Sequence, residues 1–320
     1  MEECFSMIYH FILNPNSGRS SQQKKMEQDI VDACLKRQLS YHIYHTTCSK
    51  NSITYVRSMI NEYPDEKQRF ICIGGDGTIN EIANSAPGNP NVEFGVIPSG
   101  SGNDFVRNFK SRKLFSNIDA QIDGEASAFD LIKCNDDYCV NMVNIGFDCS
   151  VVIEADKFRK SKLFPHGISY ILGVVVGFFF KKFGTKMKII FDDGEVVEKD
   201  LTLTAIGNGK FCGGGFKSCP KASLADGLMD ICMIDKVSRL NFIQLISSYK
   251  DGTYLENKNA KKIIRYVQDK HFQMEFEQPQ PICIDGEIFN AKTIDFTVIP
   301  GAFNFVISKG SGMKFPKEYK

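Results

Sequence analysis

Three glycine-rich stretches and one late pair of acids carry the clearest chemical signal in this 320-residue chain. Gly74-Gly75-Asp76-Gly77-Thr78-Ile79-Asn80-Glu81 follows a short apolar run and leads into a segment with helical spacing. Glycines let a backbone approach an anion closely, and a helix N-terminus supplies free N–H groups and the positive end of a dipole. That combination suits a phosphate, and Asp76 stands where a carboxylate could hold a phosphate-bridging magnesium. Pro98-Ser99-Gly100-Ser101-Gly102-Asn103-Asp104-Phe105 and Asn14-Pro15-Asn16-Ser17-Gly18 each follow an apolar run in the same way. Asp285 and Glu287 lie two residues apart in the apolar stretch PICIDGEIF. Two carboxylates on one face would raise the proton affinity of one, which fits a general base. Gly286 allows a bend or bulge between them, so strand alternation leaves open whether both face the same way.

These residues need a frame. The first 110 or so residues alternate between apolar runs and segments of helical periodicity. Met7–Leu13, Tyr41–His45, Phe70–Ile73 and Phe94–Ile97 read as strands. Met26, Ile30 and Cys34 fall four apart on one helical face, and Ser49–Asn61, Ile79–Asn84 and Asp104–Phe109 also read as helical. Four strand–helix units in a row imply a parallel sheet covered by helices. All three glycine turns then lie at the carboxyl ends of strands, where open α/β sheets bind ligands. Near residue 125 the texture changes to short β-rich runs with turn signals at Asp192–Gly194 and Asp226–Gly227. That pattern implies an antiparallel sandwich or barrel with helical regions around 150–180 and 238–265. The expected division is an α/β domain over 1–126 and a β-sandwich domain over 127–300.

A net charge of +1 gives no general attraction to nucleic acid. The eleven cysteines include no CxxC pair, and the N-terminus lacks a secretory pattern, so reduced thiols in a cytoplasm are expected. His42 and His45 have no cysteine pair in register and read as strand residues rather than zinc ligands. Ile168–Phe180 is the most apolar stretch, yet too short for a helix that needs about 20 residues to cross a bilayer. It reads as a buried element or as a lipid-facing surface flanked by Lys162, Lys181 and Lys182. The basic residues Lys157, Arg159, Lys160 and Lys162 read either as a membrane contact or as a solvated helix face. There is no Walker A sequence, since Gly209-Lys210 is followed by Phe211, and no GxGxxG follows a strand in the required place. An ordinary P-loop NTPase and a dinucleotide-dependent dehydrogenase are both disfavoured.

The motifs together resemble the diacylglycerol kinase catalytic-domain family of lipid kinases, which includes bacterial diacylglycerol kinases and sphingoid-base kinases. The matching stretches are NPNSG at 14–18, GGDGTINE at 74–81, PSGSGNDF at 98–105 and NIGFD at 144–148. IGNGKFCGGGF at 206–216, PKA at 220–222, DGLMD at 226–230 and DGE at 285–287 follow in the family's order. The resemblance implies an α/β nucleotide-binding domain, a C-terminal β-sandwich, an active site in the cleft between them, and a final segment after about Gly301 that returns to the first domain. It implies ATP contacts from Asn14, Asn16, Ser17, Gly18 and either Thr46 or Thr47. Gly74, Gly75, Asp76, Gly77, Thr78 and Glu81 would bind phosphates and magnesium, with Ser101 nearby in place of the family's usual threonine. A structural magnesium would rest on Asp226 with the carbonyls of Ser223 and Leu228. Glu287 is expected as the base toward a lipid hydroxyl, with Asp285 positioning it.

The expected reaction is transfer of the γ-phosphoryl of ATP, with Mg2+, to a membrane lipid, diacylglycerol first. The protein would then be cytoplasmic and visit the membrane peripherally, and the reading allows a homodimer. A sphingoid-base, ceramide or multi-substrate kinase is the nearest alternative. An NAD kinase shares the GGDGT turn but not PSGSGNDF or the late DGE. A regulator that binds lipid or nucleotide without catalysis is the reading from a different class.

Overall fold

In the first part of the chain the apolar runs become parallel strands. In this computed structural model, residues 7–14, 20–48, 50–100, 102–160, 176 and 183–313 are described. The chain divides into two units, one running to Leu131 and resuming at Pro300, the other Ile132–Ile299. The division falls a few residues beyond the change in composition, inside a continuous strand.

In the first unit β1 (Ile8–Leu13) lies between β2 (Ser40–His45) and β3 (Gln68–Gly74), parallel to both, and β4 (Val92–Pro98) pairs with β3. All six residues of β1 and all seven of β3 are buried, as central strands of a covered parallel sheet must be. The crossovers are α1 (Ser20–Arg37), α2 (Asn51–Glu62) and α3 (Asp76–Ala83). Ile30, Ala33 and Cys34 of α1 pack on Phe11, Leu13, Ile71 and Ile73. Two short helices, α4 (Arg112–Phe115) and α5 (Ile118–Ile122), lead into β5 (Glu125–Cys134). Buried Arg69 donates to the carbonyls of Gln121, Ile122 and Gly124 and to the Glu93 carboxylate, tying the end of α5 to the sheet. His10 is fully buried, stacked on Phe70 at 4.4 Å and on His42 at 5.1 Å.

The second unit is antiparallel. Its strands are the end of β5, β6 (Asp137–Cys139), β7 (Met142–Gly146), β8 (Thr185–Phe191), β9 (Val196–Gly207), β10 (Met229–Asp235), β11 (Ile264–Asp269), β12 (His271–Ile284) and most of β13 (Glu287–Ile307). Along β12 the partner changes from β8, opposite Phe272–Glu275, to β7, opposite Ile282–Ile284. β9 also changes partner, from β8 to β7. Strands that switch partners in this way turn the corners of a sandwich. Val143, Ile145, Ile189, Ile206, Phe272, Met274, Ile282 and Phe296 fill the space inside. Helices α6 (Phe147–Lys160) and α7 (Arg239–Asp251) cover a second apolar layer that contains Phe147, Phe242 and Tyr249.

Two sequence expectations join into one element: Phe272–Phe276 and Ile282–Ile284 are the halves of β12, with an irregular register between Glu275 and Gln280. β13 outruns its reading at Ile294–Val298 and extends to Ile307, where Phe305 pairs in parallel with Phe94 of β4. The final residues of β13 thus belong to the first unit. The ten described cysteines are free. Among the described residues no helix is long and apolar enough to cross a membrane. Residues 161–175 and 177–182, which hold most of the apolar Ile168–Phe180 stretch, lie outside the described residues.

Candidate active site

The GGDGT turn is the junction of β3 and α3. Gly75 is the N-cap, and its carbonyl accepts the N–H groups of Thr78 at 3.0 Å and Ile79 at 3.2 Å. The helix therefore starts at Asp76, earlier than the apolar spacing indicates, and Gly77 and Thr78 sit in its first turn. The N–H groups of Asp76 and Gly77, ahead of those bonds, have no partner inside the helix and can meet an anion. A Cβ at Gly77 would meet nothing within 4 Å, so the backbone at this position is open to approach.

The second glycine turn packs on the first. A Cβ at Gly100 would stand 2.7 Å from the Gly75 Cα, so this position needs glycine for the backbone contact, while a Cβ at Gly75 would press on the Gly100 Cα at 3.2 Å. The Ser99 N–H donates to the Gly74 carbonyl at 2.9 Å. Asn103, held at φ 50°, closes the turn from within: its Oδ1 accepts the Gly100 N–H and its Nδ2 donates to the Gly100 carbonyl. Asp76 fastens the two turns together. Its Oδ2 accepts the Asp104 N–H at 3.0 Å and its Oδ1 the Phe105 N–H at 3.1 Å. Asp104–Phe109, expected as a helix, is instead one 3-10 turn over Phe105–Asn108, started by the amides that Asp76 receives.

A carboxylate has about four lone-pair directions, so two N–H bonds leave Asp76 able to meet a cation as well. Its hard oxygens suit magnesium, which commonly takes one or two protein carboxylates plus phosphate oxygens. Glu81 has a different employment. It accepts the Lys50 N–H at 2.8 Å and the Ser52 hydroxyl, anchoring the start of α2, where an acid is favoured by the dipole. Thr46 is buried, with its hydroxyl directed at the Leu13 carbonyl, whereas exposed Thr47 bonds the Asn51 side chain. Asn14 is half-buried beside the end of β3 and donates its N–H to Ile73. Asn16, Ser17, Gly18 and Ser101 lie outside the described residues.

In the second unit Asp285-Gly286 is the two-residue loop of the β12–β13 hairpin, with φ of 47° and 99° and Ile284 paired to Glu287. Positive φ at both loop positions marks the tight turn that Asp-Gly favours. The Asp285 carboxylate reaches across to the β6–β7 connection. Oδ2 accepts the Val140 N–H at 2.7 Å, and Oδ1 accepts the N–H groups of Asn141 at 3.1 Å and Met142 at 2.9 Å. The Cys139 thiol adds a longer contact at 3.4 Å. Asp285 is thus a clamp on residues 139–142, while Glu287 stands exposed. Asn208 and Gly209 donate to the Asn141 carbonyl, and Asn141 donates to Phe211, so the clamp extends to the GNGKF stretch.

Asp226 is exposed and accepts the Leu228 N–H through Oδ1 at 3.1 Å, with Ser223 half-buried in the same turn. One carboxylate with backbone carbonyls is a donor set suited to a hard cation. Among the described residues no group of three acid, histidine or cysteine side chains is arranged for a metal.

Sequence reasoning assigned no role to Asp148 and did not single out Tyr249. Both line a pocket of about 60 Å³ with Asn144, Phe147, Phe242 and Ile246. Burial pushes the Asp148 carboxyl up to about 7. An acid directly after Phe147, at the start of a helix, was the only visible cue.

Comparison with known proteins agrees with this architecture. Residues 9–134 match the diacylglycerol kinase catalytic domain, and residues 141–307 match the YegS C-terminal NAD kinase beta sandwich-like domain. A protein of Shewanella frigidimarina named as a probable YegS-like lipid kinase is 27% identical over 290 residues, 89% of this chain and 91% of that one. A Mycobacterium tuberculosis protein named diacylglycerol kinase is 29% identical over 190 residues, 57% of this chain and 60% of that one. A crystal structure of a Bacillus anthracis diacylglycerol kinase superposes with a TM-score of 0.70 at 20% identity, covering 95% of this chain and 97% of that one. With its two parts matched in order, this chain is a kinase belonging to the lipid kinase family that joins a diacylglycerol kinase catalytic domain to a YegS-type β-sandwich domain.

Proposed function

We propose that this kinase transfers the γ-phosphoryl group of ATP, delivered with Mg2+, to the hydroxyl of diacylglycerol, forming phosphatidic acid. The observation that carries the nucleotide half is the Gly75–Gly100 backbone contact beneath the first turn of α3, with Gly77 open in front of it. Phosphoryl transfer is chiefly a matter of alignment and charge neutralisation, and a rigid pair of glycine turns supplies alignment. Asp76 is the residue to hold the phosphate-bound magnesium, and Asp226 with the Ser223 and Leu228 carbonyls is the set for a structural one. Bound magnesium would neutralise charge developing on the phosphate oxygens.

Glu287, exposed at the start of β13, is the base for the lipid hydroxyl, and Asp285 acts by holding residues 139–142. Peripheral contact with a membrane belongs to the same reading, because the acceptor lives there. The apolar pocket beneath α7 favours a lipid over NAD, whose surface is polar and charged.

The test is incubation of the purified protein with labelled ATP, magnesium and mixed micelles of diacylglycerol, with sphingosine and NAD in parallel. Label is expected in phosphatidic acid and absent with Gly77→Val, which adds a side chain where the phosphates approach. Label on sphingosine or NAD instead would overturn the substrate assignment.

A further inference from the structure

Between the second glycine turn and α5 the chain carries charge of one sign. From Phe105 to Asn117 there are four cations, Arg107, Lys110, Arg112 and Lys113, and no acid. Arg107 is engaged by Asp104 at 2.9 Å. Lys110, Arg112 and Lys113 are exposed, and among the described residues none of the three enters an ion pair.

The fold adds another cation beside them. The residues that follow β13 run back along this segment. The Lys110 N–H donates to the Gly312 carbonyl at 3.0 Å, and Phe109 forms a bridge with Met313. The buried Ser311 hydroxyl accepts the Ser111 N–H at 3.3 Å and donates to the Ser111 carbonyl at 3.1 Å. Gly310 lies against Leu114, which brings exposed Lys309 alongside. Underneath, Phe109, Phe115 and Phe305 pack with ring centroids 4.9 to 6.1 Å apart. The cations therefore stand on a fixed frame, and holding them against a partner costs only the freedom of their own side chains.

The nearest acids are already taken. Asp119 and Asp123 both pair with Arg37 of α1. Lys309 acts weakly on Asp123, whose carboxyl is held down chiefly by Arg37. A net charge of +1 means that the rest of the chain does not share this local excess. Like charges gathered on a rigid frame repel one another, and a broad anionic surface relieves that repulsion.

Resting on the lipid-kinase reading above, we propose that Lys110, Arg112, Lys113 and Lys309 form the surface by which this protein docks on the anionic headgroups of a lipid bilayer. The segment begins one 3-10 turn after the amides that Asp76 receives, so docking keeps the nucleotide turns close to the bilayer that holds the acceptor. The group docks and takes no part in moving the phosphoryl. In α6, the other basic segment of the sequence, Lys157 is already paired with Glu154 at 2.9 Å.

The experiment sediments the full chain, without ATP, with vesicles of phosphatidylcholine alone or mixed with phosphatidylglycerol. The wild-type protein is expected to bind the mixed vesicles, to leave the neutral ones in suspension, and to be released as salt rises. Loss of one basic residue near an anionic membrane weakens binding about fivefold, so Lys110→Gln, Arg112→Gln and Lys113→Gln together lower it about a hundredfold. These side chains are exposed, so the triple variant melts with the wild type. Lys110→Arg with Lys113→Arg keeps the binding. Lys258→Gln, Lys261→Gln and Lys262→Gln remove the same charge from the exposed surface of the second unit and leave binding nearly unchanged. Equal binding to both vesicles, or an equal fall in the two triple variants, would overturn the docking surface. Release by inorganic phosphate at constant ionic strength would overturn it too, by marking a site for a small soluble anion. Docking without transfer to diacylglycerol would defeat the kinase reading alone. Transfer in neutral micelles without docking would defeat this surface alone.

Discussion

Replacing Asp285 by asparagine separates a carboxylate that holds a loop from one that performs chemistry. Asparagine tolerates the positive φ of this position, so the hairpin itself is undisturbed. The carboxylate receives three backbone N–H groups at 2.7–3.1 Å, from Val140, Asn141 and Met142. An amide can keep its oxygen toward Asn141 and Met142, but its NH2 then meets the Val140 N–H. One charge-assisted bond is lost, at about 1.5–3 kcal/mol, and two become neutral at about 1 kcal/mol each, so the total is about 3–5 kcal/mol. For a unit of this size that lowers its melting temperature by roughly 10 °C. Scanning calorimetry of the full chain, read on the transition of the second unit, measures it. Asp285→Asn melting with the wild type while losing all turnover would refute the clamp and return the residue to the chemistry. Glu287→Gln is the control. Its exposed carboxylate should leave the melting temperature unchanged while turnover falls by about a hundredfold or more, as for loss of a general base.

Other outcomes follow from the first unit. Gly100→Ala forces its Cβ to 2.7 Å from the Gly75 Cα, so the two turns must part; stability falls by about 1–3 kcal/mol and ATP affinity falls with it, both measurable by calorimetry. His10 has a pKa lowered from 6.5 to about 4, chiefly by burial and secondarily by His42. The fold holds the neutral ring, so its contribution is complete above about 6.5 and is lost as pH falls toward 4, by about 3 kcal/mol. Urea unfolding of His10→Phe should lack that slope between pH 6.5 and 4; an equal slope in both proteins would place the acid sensitivity elsewhere.

What the sequence disclosed was whatever depends on neighbours in the chain. The apolar runs of β1 and β3, the four-residue spacing in α1 and the glycine turns are local signals, and each marks an element of the fold. Interactions at long range were silent. Asp285 and the amides it receives are 143 to 145 residues apart, and no spacing rule connects them. The two-carboxylate idea for Asp285 and Glu287 treated both as acids competing for protons, whereas the N–H groups around Asp285 already neutralise one of them. Glu81 illustrates the same limit: nothing within GGDGTINE announces that its carboxylate also receives the N–H of Lys50, 31 residues earlier, at the start of α2.

The positions of Asp76 and Asp285 share a logic that neither motif reveals alone. Each acid sits in a turn that its glycines permit, and each spends its charge on backbone N–H groups of a second, distant loop. Charged acceptors are the stronger way to fix such loops, since a bond to a carboxylate is worth about twice a neutral one. Binding sites need loops held more firmly than loops hold themselves, because a displacement near 1 Å can cost about a hundredfold in rate. On the proposed function Asp76 is therefore under two demands at once, chemical and mechanical, and Asp285 under the mechanical one. Loss of activity after their removal cannot distinguish the two, whereas a melting temperature taken beside each turnover number can.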